Sequence, residues 1–133
     1  PDVFAAVAPV SGLTLEWMYR DCDTPAPIPL FEIHGTEDRT SAWEGDLENK
    51  GGWGAYLPVE IAVGYWVAAN RCVREQTDTL ALRRHPVVAH RFVGGTGGNE
   101  VWLYEVVDGG HSWAEKDMDT SEEIWHFFGR FVK

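Results

Sequence analysis

This chain has two cysteines, few cationic side chains, no long apolar run and no serine in a glycine-flanked nucleophile motif, and each shortage removes a class of protein. Cys22 and Cys72 cannot make a four-cysteine zinc site and allow at most one disulfide. Such a bridge would close a long loop, add roughly 4 kcal/mol by the chain-entropy model, and imply a secreted or periplasmic protein. Two unrelated thiols are the plain alternative. Eleven Lys and Arg stand against twenty-one Asp and Glu, a formal charge of -10. That balance repels phosphate backbones and anionic headgroups, so neither nucleic acid nor a membrane surface is expected as a main partner. No apolar run approaches the roughly 20 residues that cross a bilayer as a helix. The chain opens on Pro1 with no initiating methionine, basic n-region or apolar h-region, which reads as a cut N-terminus and leaves any leader undetermined.

What remains is one domain's worth of residues. At 133 residues the chain is long enough for a core but about half the size at which an α/β enzyme closes its sheet, so 1–133 is read as a single, partial domain. The run Phe4-Ala5-Ala6-Val7-Ala8-Pro9-Val10 predicts a buried parallel strand, and Ile28 to Ile33 a second one. Residues 39–57 are polar, aromatic and too rich in glycine for a helix, and a loop of that length is usually functional or disordered. Pro58, followed by Ile61, Ala62, Tyr65, Trp66 and Ala69 at helical spacing, predicts an amphipathic helix. Residues 73–86 are charged and show no clear period. Val87 to Val93 and Glu100 to Val107 flank a glycine-rich turn and predict a hairpin. A capping box from Thr120 to Glu123 opens a last helix with Ile124, Phe127, Phe128 and Phe131 on one face.

Two motifs sit just past apolar strands: Ile33-His34-Gly35-Thr36-Glu37-Asp38 and Gly109-Gly110-His111-Ser112-Trp113. An acid and then a histidine, each beyond its own strand, follow the order of the last two members of the Ser, Asp, His triad of α/β-hydrolases. Asp38 alone reads as a turn residue and His111 alone as one more histidine; the pairing is what points to catalysis. In that arrangement the carboxylate accepts the imidazole Nδ1–H, fixes the tautomer and stabilises the imidazolium. Serines at 11, 41, 112 and 121 all lack the Gly-x-Ser-x-Gly surroundings of a nucleophile elbow. Ser11 follows a strand, but without a glycine two residues before it or a helical pattern after it. A complete active site is therefore not expected within these residues. His34 reads as packing or bonding backbone, and His85, His90 and His126 form no constellation. Trp43, Trp53, Tyr56 and Trp113 cluster in sequence around the motif loops and could form a stacking wall for an aromatic acyl group, a sugar or a polymer chain.

The segments Pro1 to Gly12, Ile33 to Asp38, Trp66-Val67-Ala68-Ala69-Asn70-Arg71-Cys72, Gly109 to Trp113 and Glu122-Glu123-Ile124-Trp125-His126-Phe127-Phe128 together resemble the carboxy-terminal half of the polyhydroxybutyrate depolymerase and feruloyl esterase family. The resemblance runs through most of the chain. It implies an α/β fold, the carboxy-terminal half of an α/β-hydrolase parallel sheet with flanking helices. It also implies a secreted serine esterase without a cofactor, in which Asp38 is the triad acid and His111 the base. In that family the segment resembling Pro1 to Gly12 follows the helix behind the nucleophile, so the nucleophile is expected upstream of Pro1 and the chain as given is expected to be inactive. Substrates implied are polyesters, feruloylated or acetylated plant polysaccharides, and small esters, with Trp113, Trp43 and Trp53 as candidate substrate contacts. The family often pairs a cysteine like Cys72 with one in the next hairpin. None stands there in this chain, so the resemblance supplies no partner for Cys72 and a bridge to Cys22 is not implied by it. Two other readings stay open: a non-catalytic carbohydrate- or polymer-binding module built on the tryptophan-rich loop, and a metal-dependent hydrolase using His34, Asp38 and His111, whose spacing is unlike that of zinc ligands.

Overall fold

The apolar runs of the sequence become the middle of a four-stranded sheet in the computed structural model, which describes residues 3–23 and 25–132. Helix α1 (Glu16–Asp21) precedes strand β1 (Leu30–Gly35). Helix α2 (Val59–Asn70) leads into β2 (Arg74–Leu80), β3 (Val87–Val93) and β4 (Val101–Val106), and α3 (Thr120–Gly129) follows. The strand order is β1-β4-β3-β2. β1 and β4 run parallel, from Leu30 opposite Val101 to Gly35 opposite Val106, whereas β4 with β3 and β3 with β2 are antiparallel.

This corrects the expectation of a parallel α/β-hydrolase sheet: the fold is a small mixed α/β domain with one parallel pair among the four strands. The reason lies in the connections. A short turn reverses the chain, so β2, β3 and β4 can only be antiparallel neighbours, and a parallel partner needs a long crossover such as the one between β1 and β4. The run 4–10 is likewise not a buried strand. It touches β1 through isolated parallel bridges at Val7–Leu30 and Val10–Ile33, and its residues are half-buried or exposed; Pro9 within it has no N–H to donate. Pro1 and Asp2, quoted in the resemblance, lie outside the described residues.

The sheet has a core on each face. On one face Phe31, Ile33, Val87, Ala89, Trp102, Tyr104 and Val106 pack with Met118 and with Phe127 of α3. On the other, Leu30, Val101 and Leu103 meet Val59 and Val63 of α2. Phe31 and Phe127 are both fully buried with ring centroids 5.3 Å apart; burying each such side chain contributes roughly 1.5–3 kcal/mol. Ile61, expected on the buried face of α2, is exposed.

β2 was hidden in the charged stretch 73–86. It lies at the sheet edge, is exposed along nearly its whole length and is held by its ladder with β3. The cap of α3 also differs from expectation. Asp119, not Thr120, is the N-cap and accepts the Glu122 N–H at 3.1 Å, while Thr120 is buried in the first turn. Cys22 and Cys72 are both free thiols, so the disulfide expectation is corrected too. Cys22 is exposed at the end of α1, whereas Cys72 packs against the α2 side of the sheet. No helix among the described residues is long and apolar enough to cross a membrane.

Candidate active site

β1 and β4 are parallel neighbours, so the loops that leave their carboxyl ends rise from the same rim of the sheet, and this is where Asp38 and His111 stand. Four contacts hold the two loops together. The Thr36 N–H donates to Val106 O at 3.0 Å, the Glu37 N–H to Gly109 O at 2.9 Å, and the Asp108 N–H to the Thr36 hydroxyl at 2.9 Å. The fourth is a bare backbone approach: a Cβ on Gly35 would lie 2.2 Å from Gly109 O. Gly35 is needed because the Gly109 and Gly110 backbone lies where its Cβ would be; a Cβ on Gly109 would instead meet Val106, and one on Gly110 would meet nothing within 4 Å. Asp108 and Ala114, on either side of His111, both take a φ of 59°. That left-handed backbone is uphill by roughly 1–2 kcal/mol for an ordinary L-residue, so surrounding contacts must impose it.

Asp38 has a fully buried carboxylate. Oδ1 accepts the N–H groups of Thr40 and Ser41, both at 2.8 Å, and Oδ2 accepts from His111 Nδ1 at 2.9 Å. A carboxylate only accepts, which places a proton on Nδ1 and leaves the Nε2 lone pair free. The His111 ring is 46% exposed, so Nε2 can reach a hydroxyl outside the protein core. Buried carboxylate, oriented imidazole and open Nε2 together make a dyad able to withdraw a proton from an attacking oxygen.

No protein-family model matches this chain, and no curated protein matches it. What the site can do therefore rests on its own geometry and on the motif resemblance.

The remaining expected residues are only partly gathered. Trp113 stands two residues beyond His111, 50% exposed, and its indole N–H donates to the Ser121 hydroxyl at 3.3 Å. Trp53 is 70% exposed on its own turn, where Asp46 and Asn49 accept the N–H groups of Lys50, Gly51 and Gly54. Trp43 is partly buried. It packs into the α2-side core and sets its edge toward the His34 ring, with centroids 6.0 Å apart. Tyr56 is buried and gives its hydroxyl to the Ala42 N–H as acceptor.

His34, Asp38 and His111 are joined by direct contacts, with Asp38 Oδ2 lying 2.9 Å from His111 Nδ1 and 3.5 Å from His34 Nε2. Among the described residues no group of three His, Cys, Asp or Glu side chains is disposed to hold a metal ion. The serines are engaged elsewhere, since the Ser11 hydroxyl donates to Ser112 O, Ser41 is buried beneath Asp38, and the Ser112 hydroxyl accepts the Ala114 N–H. Ser11 does sit beside the His111 loop, with a φ of 51°, but it faces a carbonyl and not the imidazole.

Sequence reasoning passed over Glu32. A glutamate inside the apolar run of β1, two residues before a histidine, was the available signal, because residues two apart on a strand share a face.

Proposed function

We propose that Asp38 and His111 are the acid and base of a serine-type carboxylic ester hydrolase that uses no cofactor and acts on a polyester or on feruloyl or acetyl esters of plant polysaccharide. The observation that carries this reading is the 2.9 Å bond between His111 Nδ1 and a buried carboxylate, with the other face of the ring open. In such a site Nε2 takes the proton of a serine hydroxyl as its oxygen attacks the ester carbonyl carbon. Asp38 stabilises the imidazolium, which then protonates the departing alcohol. Water, activated by the same histidine, hydrolyses the acyl-enzyme. The attacking serine is supplied from outside the described residues, none of whose serines bonds to the His111 ring. Ester class and secretion rest on the family resemblance; the half-exposed Trp113 adds a flat apolar surface suited to an aromatic acyl group or a sugar.

The chain alone is expected to hydrolyse a nitrophenyl ester no faster than background. A version extended upstream in its reading frame is expected to be active and to react with a fluorophosphonate at one serine. In that version Asp38→Asn should lower kcat about 10⁴-fold by presenting the wrong imidazole tautomer. Full rate in the variant would remove Asp38 from the mechanism, and failure of any serine to label would remove the esterase reading.

A second reading, a non-catalytic module for carbohydrate or polymer, is favoured by the exposure of Trp53. It requires retention of the chain on insoluble polymer that Trp53→Ala abolishes.

A further inference from the structure

The strand that delivers the acid also buries a pair of ionisable groups two residues apart. Glu32 is 7% exposed and His34 1%. His34 Nε2 lies 2.7 Å from the carbonyl oxygen of Ser41, and Nδ1 lies 2.9 Å from Glu32 Oε1. A carbonyl oxygen only accepts, so Nε2 carries a hydrogen. Glu32 Oε1 accepts a second bond, from the Gly12 N–H at 3.2 Å.

These contacts close into a circuit through the dyad. From His34 it runs to Ser41, whose N–H holds Asp38 Oδ1, and from Asp38 to His111. The next residue, Ser112, accepts the Ser11 hydroxyl on its carbonyl at 3.3 Å, and Gly12, after Ser11, returns to Glu32. One buried pair thus touches both the loop of the acid and the Ser11–Gly12 segment that braces the loop of the base.

We propose that Glu32 and His34 form a buried carboxylate–imidazolium pair that positions both members of the dyad, His34 through the Ser41 peptide beneath Asp38 and Glu32 through the Gly12 segment that steadies the His111 loop. This rests on reading Asp38 and His111 as the dyad. Both are positioning residues, since neither faces the open side of the His111 ring. Buried ion pairs add little net stability and are often replaceable by apolar residues without loss, so what this pair supplies is geometry.

The surroundings of His34 suit a cation. Glu32 faces it from its own strand, Asp38 Oδ2 from the turn beyond at 3.5 Å, the Ser41 carbonyl from the same loop and the edge of Trp43 from the side. Glu105 is its register partner on β4. Burial alone would pull the His34 pKa down, but the bonds to Glu32 and Ser41 and the charges of Glu32 and Asp38 outweigh it and hold the pKa above the ordinary value. Burial pushes the Glu32 carboxyl above its ordinary value, and the bonds from His34 and Gly12 and the charge of His34 offset that only in part.

Long-range ¹H–¹⁵N correlation spectra of the five histidine rings in the 133-residue chain test this without any turnover. The unsubstituted chain should show His34 protonated on both nitrogens at pH 7 and a low-field His111 Nδ1–H in slow exchange. Glu32→Gln should leave His34 with a single ring proton at pH 7 and speed exchange of the His111 Nδ1–H by about tenfold or more, the opening of a local bond and not of the whole fold. His34 with one bare nitrogen in the unsubstituted chain would overturn the proposal even if the variant failed to fold. So would a folded Glu32→Gln whose His111 signal is unchanged. Because no ester is involved, a lack of esterase activity in the extended chain leaves this result standing, and the reverse also holds.

Discussion

Replacing Gly35 by alanine should prise the acid away from the base. The new Cβ would sit 2.2 Å from the Gly109 carbonyl oxygen and 2.6 Å from that of Gly110, and both neighbours are backbone, which cannot swing aside as a side-chain tip does. To restore ordinary van der Waals separation one loop must retreat by about 1 Å. That movement acts on the seam described above, where the Glu37 N–H to Gly109 O and Asp108 N–H to Thr36 hydroxyl bonds are both 2.9 Å long. Lengthened by about 1 Å, neither remains a hydrogen bond. Overpacking costs about 1–3 kcal/mol and each of the two lost bonds about 1 kcal/mol more, so a loss of about 3–5 kcal/mol is expected. That is a large part of the roughly 5–15 kcal/mol that holds a domain folded. Gly110→Ala is the control, since nothing lies within 4 Å of a Cβ there, and a change within about 0.5 kcal/mol is expected. Urea midpoints of the two variants, compared at equal slope, read the difference. Equal midpoints would refute the close packing of the two motif loops.

The cap of α3 offers a second test. Asp119→Ala should cost about 1 kcal/mol, whereas Thr120→Val removes a buried hydroxyl that has no partner and should be neutral or stabilising; the reverse ranking in urea melts would restore Thr120 as the cap. A third concerns pH. His90 on β3 sits between Glu75 of β2 at 3.0 Å and Glu105 of β4 at 3.1 Å, with Glu60 of α2 lining the same cavity. Burial pulls the His90 pKa down, but the two carboxylates outweigh it and raise it above the ordinary 6.5; the bond from His90 lowers that of Glu75. The raised histidine contributes fully below its ordinary value and loses that contribution as pH rises through its folded value. The lowered glutamate contributes above its ordinary value and loses it as pH falls. Stability should therefore peak at about pH 5–6 and decline above. His90→Gln should reduce the decline between pH 5.5 and 8.5, leaving the part of the same sign due to His34. An undiminished decline in urea midpoints would discount the His90 cluster.

The strands that carry the site were legible because their signals are local. β1 and β4 are short apolar runs ended by glycine motifs, and buried strands of that kind need no partner to be recognised. Their parallel pairing agrees with the order of the motifs, yet the sheet as a whole does not follow from it. β2 is Arg-Glu-Gln-Thr-Asp-Thr-Leu, a strand with no core face, so no alternation of apolar residues announces it; it exists because β3 offers an edge. α1 buries no residue and was hidden for the same reason. Thr120 and Asp119 are both capping residues by type, and only the backbone at the helix start decides between them. The bond from Asp38 to His111 was anticipated from chemistry and chain order. Glu32 was not, because inside an apolar run a single acid reads as an interruption until its partners at Gly12 and His34 are seen.

The strand order carries a kinetic consequence. β2, β3 and β4 are consecutive and joined by short turns, so their pairing closes small loops and can form early, whereas β1 must return across the intervening chain to reach β4. Asp38 and His111 are 73 positions apart and meet only when that late, non-local ladder zips. The dyad is thus expected to form with the last docking event of the sheet and to be lost when β1 detaches, so the oriented imidazole should report completion of folding in a way that the antiparallel meander does not.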